Sequence, residues 1–95
     1  MRPYHVEVES DAPDGLRRLP ADVQAAIRAR IDALADDPRP AGARALTGRL
    51  AGSYRLKVRG AYRIGYDVDD RARTVVVWQI GHRGKFYDKA QRRQS

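Results

Sequence analysis

The sequence predicts a single α+β domain. It reads as one strand, a two-helix hairpin and then a three-strand antiparallel meander, with the helices packed on one face of the sheet. Three observations predict it. Residues 4–9 and three later segments between Tyr54 and Arg83 carry the short apolar/polar alternation or the β-branched run of strands. Val23, Ile27, Ile31 and Leu34 recur at helical spacing. Turn signals at Pro13, Pro20, Pro38, Gly60 and Asp69-Asp70 separate these segments. A chain of 95 residues suits one domain, residues 1–95, near the lower end of the usual size range.

The elements follow in order. Tyr4-His5-Val6-Glu7-Val8-Glu9 alternates and predicts a half-buried strand. Ser10-Asp11-Ala12-Pro13-Asp14 offers capping residues and a proline, so a short helix starts there and runs to about Leu19. Pro20 suits the first turn of a second helix, whose apolar stripe ends before Asp37-Pro38. Residues 43–50 are ambiguous, with Leu46 and Leu50 expected to anchor them to the core. Repeats and low-complexity tracts are absent, and residues 89–95 read as a frayed basic tail or a short helix.

Tyr54-Arg55-Leu56-Lys57-Val58-Arg59 alternates strictly, as does Tyr62-Arg63-Ile64-Gly65-Tyr66-Asp67-Val68, with Gly60 between them marking a hairpin. Directly opposed residues of an antiparallel pair share a face. A two-residue loop would oppose Val58 to Arg63 and drive cations into the core, so it is rejected. The three-residue loop Arg59-Gly60-Ala61 opposes Val58 to Tyr62, Leu56 to Ile64 and Tyr54 to Tyr66. It also sets Lys57 against Arg63, a repulsive pair unless an anion joins them. For the last strand, a register with Val76, Trp78 and Ile80 against the helices avoids burying Gln79. It places Arg83 on the face of Arg55, Lys57 and Arg63.

The formal charge is +7, and it is unevenly placed. Residues 1–43 hold six Arg against eight acids, whereas residues 44–95 hold thirteen Lys and Arg against four acids. Sixteen of the nineteen cations are Arg, whose planar donor fork matches phosphate. Four cations from three neighbouring strands on one open face indicate a polyanion partner. The absence of cysteine excludes disulfides, a thiol nucleophile and thiolate metal sites, and two histidines make no convincing metal site, so neither metal nor cofactor is expected. No apolar run is long enough to span a bilayer and no signal-peptide apolar region precedes the first strand, so a cytoplasmic location is the simplest expectation.

The segments Leu19-Pro20, Asp37-Pro38, Leu46-Thr47-Gly48, Tyr54-Arg55-Leu56-Lys57-Val58-Arg59, Ala61-Tyr62-Arg63-Ile64 and Gly81-His82-Arg83 with Tyr87, in this order, resemble the RelE/ParE superfamily of type II toxin–antitoxin toxins. The resemblance covers nearly the whole chain and is nearer to the RelE-type messenger RNA interferases than to the ParE-type inhibitors of DNA gyrase. It implies a bacterial toxin that inhibits translation by cutting mRNA in the ribosomal A site without metal, held in check by a cognate antitoxin protein. The implied catalytic residues are Lys57, Arg63, Arg83, Tyr87 and Arg55. Arg55 stands where the RelE-type pattern carries Lys, and the stretch from Gly81 to Tyr87 is two residues shorter than in that pattern.

The residue types suit that chemistry. Attack of a ribose 2′-hydroxyl on the adjacent phosphate needs a base, charge stabilisation and a proton for the 5′-oxygen, and leaves a 2′,3′-cyclic phosphate. Fixed cations act most strongly on the phosphorane, where negative charge accumulates. Arg55 stabilises charge but is a poor base, which leaves proton abstraction to Lys57, or to His82 if its ring reaches. Tyr87 suits stacking on a base or orienting the 2′-hydroxyl. Arg59, Lys85, Arg92 and Arg93 are expected to contact the RNA backbone. Tyr54, Tyr62, Tyr66 and Trp78 read as core aromatics, and His82, by its parity with Ile80, also as a core-edge residue. The competing functions are a gyrase-directed toxin and a basic RNA-binding module without activity.

Overall fold

The computed structural model describes residues 3–10 and 12–82. The strands are β1 (His5–Val8), β2 (Ala43–Ala45), β3 (Ser53–Val58), β4 (Tyr62–Asp69) and β5 (Thr74–His82). The helices are α1 (Ala12–Arg17) and α2 (Ala21–Ala33). The five strands form one sheet in the order β1-β5-β4-β3-β2. β1 pairs parallel to β5, and the other neighbours are antiparallel. The α+β reading with one helical face therefore holds, and β2 extends the meander by a short edge strand. Arg83, Lys85, Tyr87, Arg92 and Arg93 lie outside the described residues.

α2 begins after Pro20, whose extended backbone (ψ 151°) turns the chain into the helix and whose carbonyl accepts from the Gln24 amide at 2.9 Å. The Gln24 side chain donates back to the Leu19 carbonyl at 2.8 Å, tying the two helices together. Val23, Ile27, Ile31 and Leu34 are all buried, Ile27 completely. A helix of 13 residues is marginal alone. Burial of these side chains, each worth about 1.5–3 kcal/mol, holds it on the sheet. They pack with Leu16 of α1 and with Leu56, Val58, Ile64, Tyr66, Val75, Val77 and Ile80 of the sheet.

The β3–β4 hairpin has the register read from its alternation. Val58 opposes Tyr62, Leu56 opposes Ile64, Tyr54 opposes Tyr66 and Lys57 opposes Arg63. Arg59 and Gly60 take positive φ, 51° and 75°, and the short loop closes with the Ala61 amide on the Arg59 carbonyl at 2.8 Å. Tyr66 is fully buried, and its hydroxyl donates to the Pro38 carbonyl at 2.8 Å. Tyr54 and Tyr62 are half-buried against the same core.

β5 departs from expectation. Gly65 pairs with Gln79 but Tyr66 pairs with Val77, so Trp78 is an extra residue in β5, a β-bulge. The bulge reverses the parity of the strand on either side of it. Val75 and Val77 face the helices before it and Ile80 after it, while Val76 and Trp78 do not join the main core. The register with Val76 and Trp78 inward is therefore corrected, and only Ile80 of that trio stands. Gln79 is buried all the same, on the face away from the helices, with 9% of its surface exposed. Trp78 forms a second small cluster with Leu46 and Leu50. Those leucines thus anchor the 3-10 turn Gly48–Leu50 to the sheet face opposite the helices, not to the main core.

Candidate functional site

Two cross-strand rows build the open face. Lys57 on β3 is directly opposite Arg63 on β4, which is opposite Gly81 on β5. One step along, Arg44 on β2 is opposite Arg55 on β3, followed by Gly65 and Gln79. The period of two puts all four cations on the face away from Leu56 and Ile64, because the same alternation that buries those residues turns their neighbours outward. Directly opposed side chains start about 5 Å apart at Cβ, so each pair sets two positive charges side by side. A cleft of about 320 Å³ lies at the β2 end of the face, lined by residues 41–43, Arg44, Arg55 and Lys57.

The cations differ in setting. Lys57 is exposed and Arg55 half-buried. Arg63 is only 5% exposed, and its Nη1 donates to the carbonyls of Gly60 at 2.7 Å and Tyr62 at 3.1 Å. It thereby braces the loop that follows β3, and its guanidinium is held rigid beside Lys57. Arg59 pairs with Asp22 of α2 at 2.7 Å, which commits it to the helix side of the hairpin. His82 opposes Tyr62, and its ring meets the Tyr62 ring edge-on at 6.0 Å. Opposed residues share a face, so His82 stands on the Tyr62 side of the sheet and not with Lys57. The structure thus brings together Arg55, Lys57 and Arg63, and leaves Arg59 and His82 apart from them.

Sequence reasoning missed Arg44. Its only local signal is Ala43-Arg44-Ala45, too short an alternation to read, and its place comes from pairing with a strand beyond the 3-10 turn. Beyond the cations, the face is bounded by the Trp78, Leu46 and Leu50 cluster. There the Asp67 carboxylate accepts the Trp78 indole N–H at 3.1 Å and the Ser53 hydroxyl.

A second polar cluster lies at the other end of the molecule and is structural. Asp70 accepts two N–H groups of Arg39 at 3.0 and 2.9 Å and the Tyr4 hydroxyl at 2.6 Å. Arg39 also donates to the Tyr54 hydroxyl at 2.8 Å. The Arg39 guanidinium and then the Tyr4 hydroxyl hold the Asp70 carboxyl below its usual range. Burial pushes the Tyr66 phenol up to about 12. These contacts join the loop after α2, the chain before β1 and the β4–β5 turn.

A five-stranded mixed sheet with two helices on one face and a double row of cations on the other defines the class: a small α+β protein with an open cationic sheet face. The family follows from comparison with known proteins. Residues 6–87 match the family described as the ParE toxin of type II toxin–antitoxin systems, so this chain belongs to that family of the RelE/ParE toxins. Toxin RelG of Mycobacterium tuberculosis is 34% identical over 86 residues, covering 90% of this chain and 97% of that protein. The toxin–antitoxin complex RelBE2 of M. tuberculosis contains a chain that superposes with a TM-score of 0.74 at 33% identity, covering 85% of this chain and 99% of its own. The intact RelBE toxin–antitoxin complex of E. coli gives a TM-score of 0.70 at 26% identity, covering 83% and 95%.

Proposed function

We propose that this toxin is an endoribonuclease that cuts messenger RNA in the ribosomal A site through 2′-hydroxyl attack, and that a cognate antitoxin neutralises it. The observation that carries this reading is the Lys57–Arg63 pair beside Arg44 and Arg55. Two adjacent like-charge pairs cost stability in the free protein and are relieved by bound phosphate. The relatives named RelE and RelG support the nuclease reading over others, and the RelBE complexes support an antitoxin partner. In this mechanism Lys57 takes the 2′-hydroxyl proton and Arg63 stabilises charge gathering on the phosphorane, while Arg55 adds its positive field from the neighbouring position on β3. Held by two backbone carbonyls, Arg63 needs little reorganisation as that charge develops. Arg83 and Tyr87 complete the proposed set.

Primer extension on a defined message, translated with the purified toxin, tests the proposal. Cleavage inside codons, leaving a 2′,3′-cyclic phosphate end, is expected. The second reading, inhibition of DNA gyrase, is favoured by the ParE description of the matching family. An intact message together with blocked DNA supercoiling overturns the nuclease in its favour.

A further inference from the structure

We infer that Arg44 and Arg55 form a second phosphate subsite next to the Lys57–Arg63 pair, with Arg44 a substrate-positioning residue. The inference rests on the nuclease reading above and adds to it the direction in which the RNA backbone runs. Arg44 and Arg55 are directly opposed on neighbouring strands. Arg55 and Lys57 share a face two residues apart on β3, a separation of about 6.8 Å along the strand. Two cation pairs at that step match successive phosphates of a stretched single strand better than one phosphate held by four groups. The cleft of about 320 Å³ at the β2 end of the face is lined by Arg44, Arg55 and Lys57 together with residues 41–43. The backbone therefore crosses the sheet from the Lys57–Arg63 pair towards β2, in the direction of the row where Ser53, Asp67 and the Trp78, Leu46 and Leu50 cluster close the face.

β2 is an edge strand, and a cation there also discourages pairing between sheets of different molecules. The two roles separate by experiment. Ribosomes with an empty A site are programmed with a message carrying a 2′-deoxy nucleotide at the attacked ribose, so that binding is measured without cleavage. Two further messages replace one or the other phosphate flanking the scissile one with a neutral methylphosphonate. Arg44→Ala should weaken binding to the unmodified message by about ten- to hundredfold, the range of a hydrogen bond to a charged group. The slope of log affinity against log salt should fall in size by about 0.7, one single-strand phosphate contact. On one of the two methylphosphonate messages, parent and variant should bind alike. On an all-ribose message the loss should appear mainly in the half-saturating toxin concentration and less in the cleavage rate constant at saturation. Arg44→Lys should restore part of the affinity.

Equal binding of parent and Arg44→Ala, with self-association of the variant, would make Arg44 an edge guard only and overturn the subsite while leaving the nuclease intact. A loss of the same size on all three messages would place Arg44 on ribosomal RNA and overturn it equally. Failure of the parent toxin to cut the all-ribose message would bring down the nuclease reading and the subsite together.

Discussion

Lys57→Ala separates the two faces of β3 in one substitution. Lys57 is exposed and faces Arg63 across the hairpin. Its removal relieves a like-charge pair worth about 0.2–1 kcal/mol, offset by the poorer strand propensity of Ala. For a domain of this size 1 kcal/mol moves the midpoint by about 4–8 °C, so the thermal transition should stay within about 5 °C of the parent. Activity should respond differently. Loss of a base, or of one charge-stabilising group, lowers the chemical step by about two to four decades, or roughly 3–5 kcal/mol at 1.36 kcal/mol per decade. The adjacent Leu56→Ala is the control, because Leu56 is fully buried in the main core. It should cost about 2–5 kcal/mol of stability and affect cleavage only through folding. Single-turnover cleavage on programmed ribosomes and thermal unfolding followed by circular dichroism give the two readouts. A Lys57→Ala protein that cuts at the parent rate, or one that loses cleavage only because it unfolds, would refute the placement of chemistry on this face.

Three further outcomes are expected. Arg55→Lys restores the lysine of the RelE-type pattern, so cleavage should hold or rise; abolition of cleavage would mean that the site depends on a bidentate guanidinium. Gly15→Ala should lower stability by about 1–3 kcal/mol, read as a lower denaturant midpoint. A Cβ at Gly15 meets the Ile80 carbonyl group and must push α1 off β5, whereas helix propensity alone would make the same change stabilising by about 1 kcal/mol. The Asp70 carboxyl is held low, so its contribution is present above its ordinary value of 3.8 and is lost as the pH falls through its lower folded value. Protection factors at β1 and the β4–β5 turn, taken relative to the intrinsic exchange rate at each pH, should therefore fall in acid for the parent, and Asp70→Asn should already show the lower protection at neutral pH.

The β3–β4 hairpin and α2 were legible because their patterns are strict. Cations alternate with apolar residues from Tyr54 to Arg59, so any one-residue slip would bury charge, and the register followed with Lys57 against Arg63. Val23, Ile27, Ile31 and Leu34 define one helical stripe, and all four are buried. Three of the cations of the candidate site were therefore readable from local alternation alone. β5 was not readable in the same way. Val75-Val76-Val77-Trp78 is apolar at every position, so both parities look equally buriable. The choice fell to a bulge at Trp78 that the pairing with β4 imposes and that only the cross-strand hydrogen bonds record. Arg44 escaped for a related reason. Three residues are too few to show a period, and their partner strand lies beyond the 3-10 turn. His82 kept the parity read for it, but whether its ring could reach the cations depended on the face it shares with Tyr62. Local alternation thus determines which side chains turn outward on one hairpin. Which outward side chains become neighbours depends on bulges and strand pairing, because those contacts join residues distant in sequence.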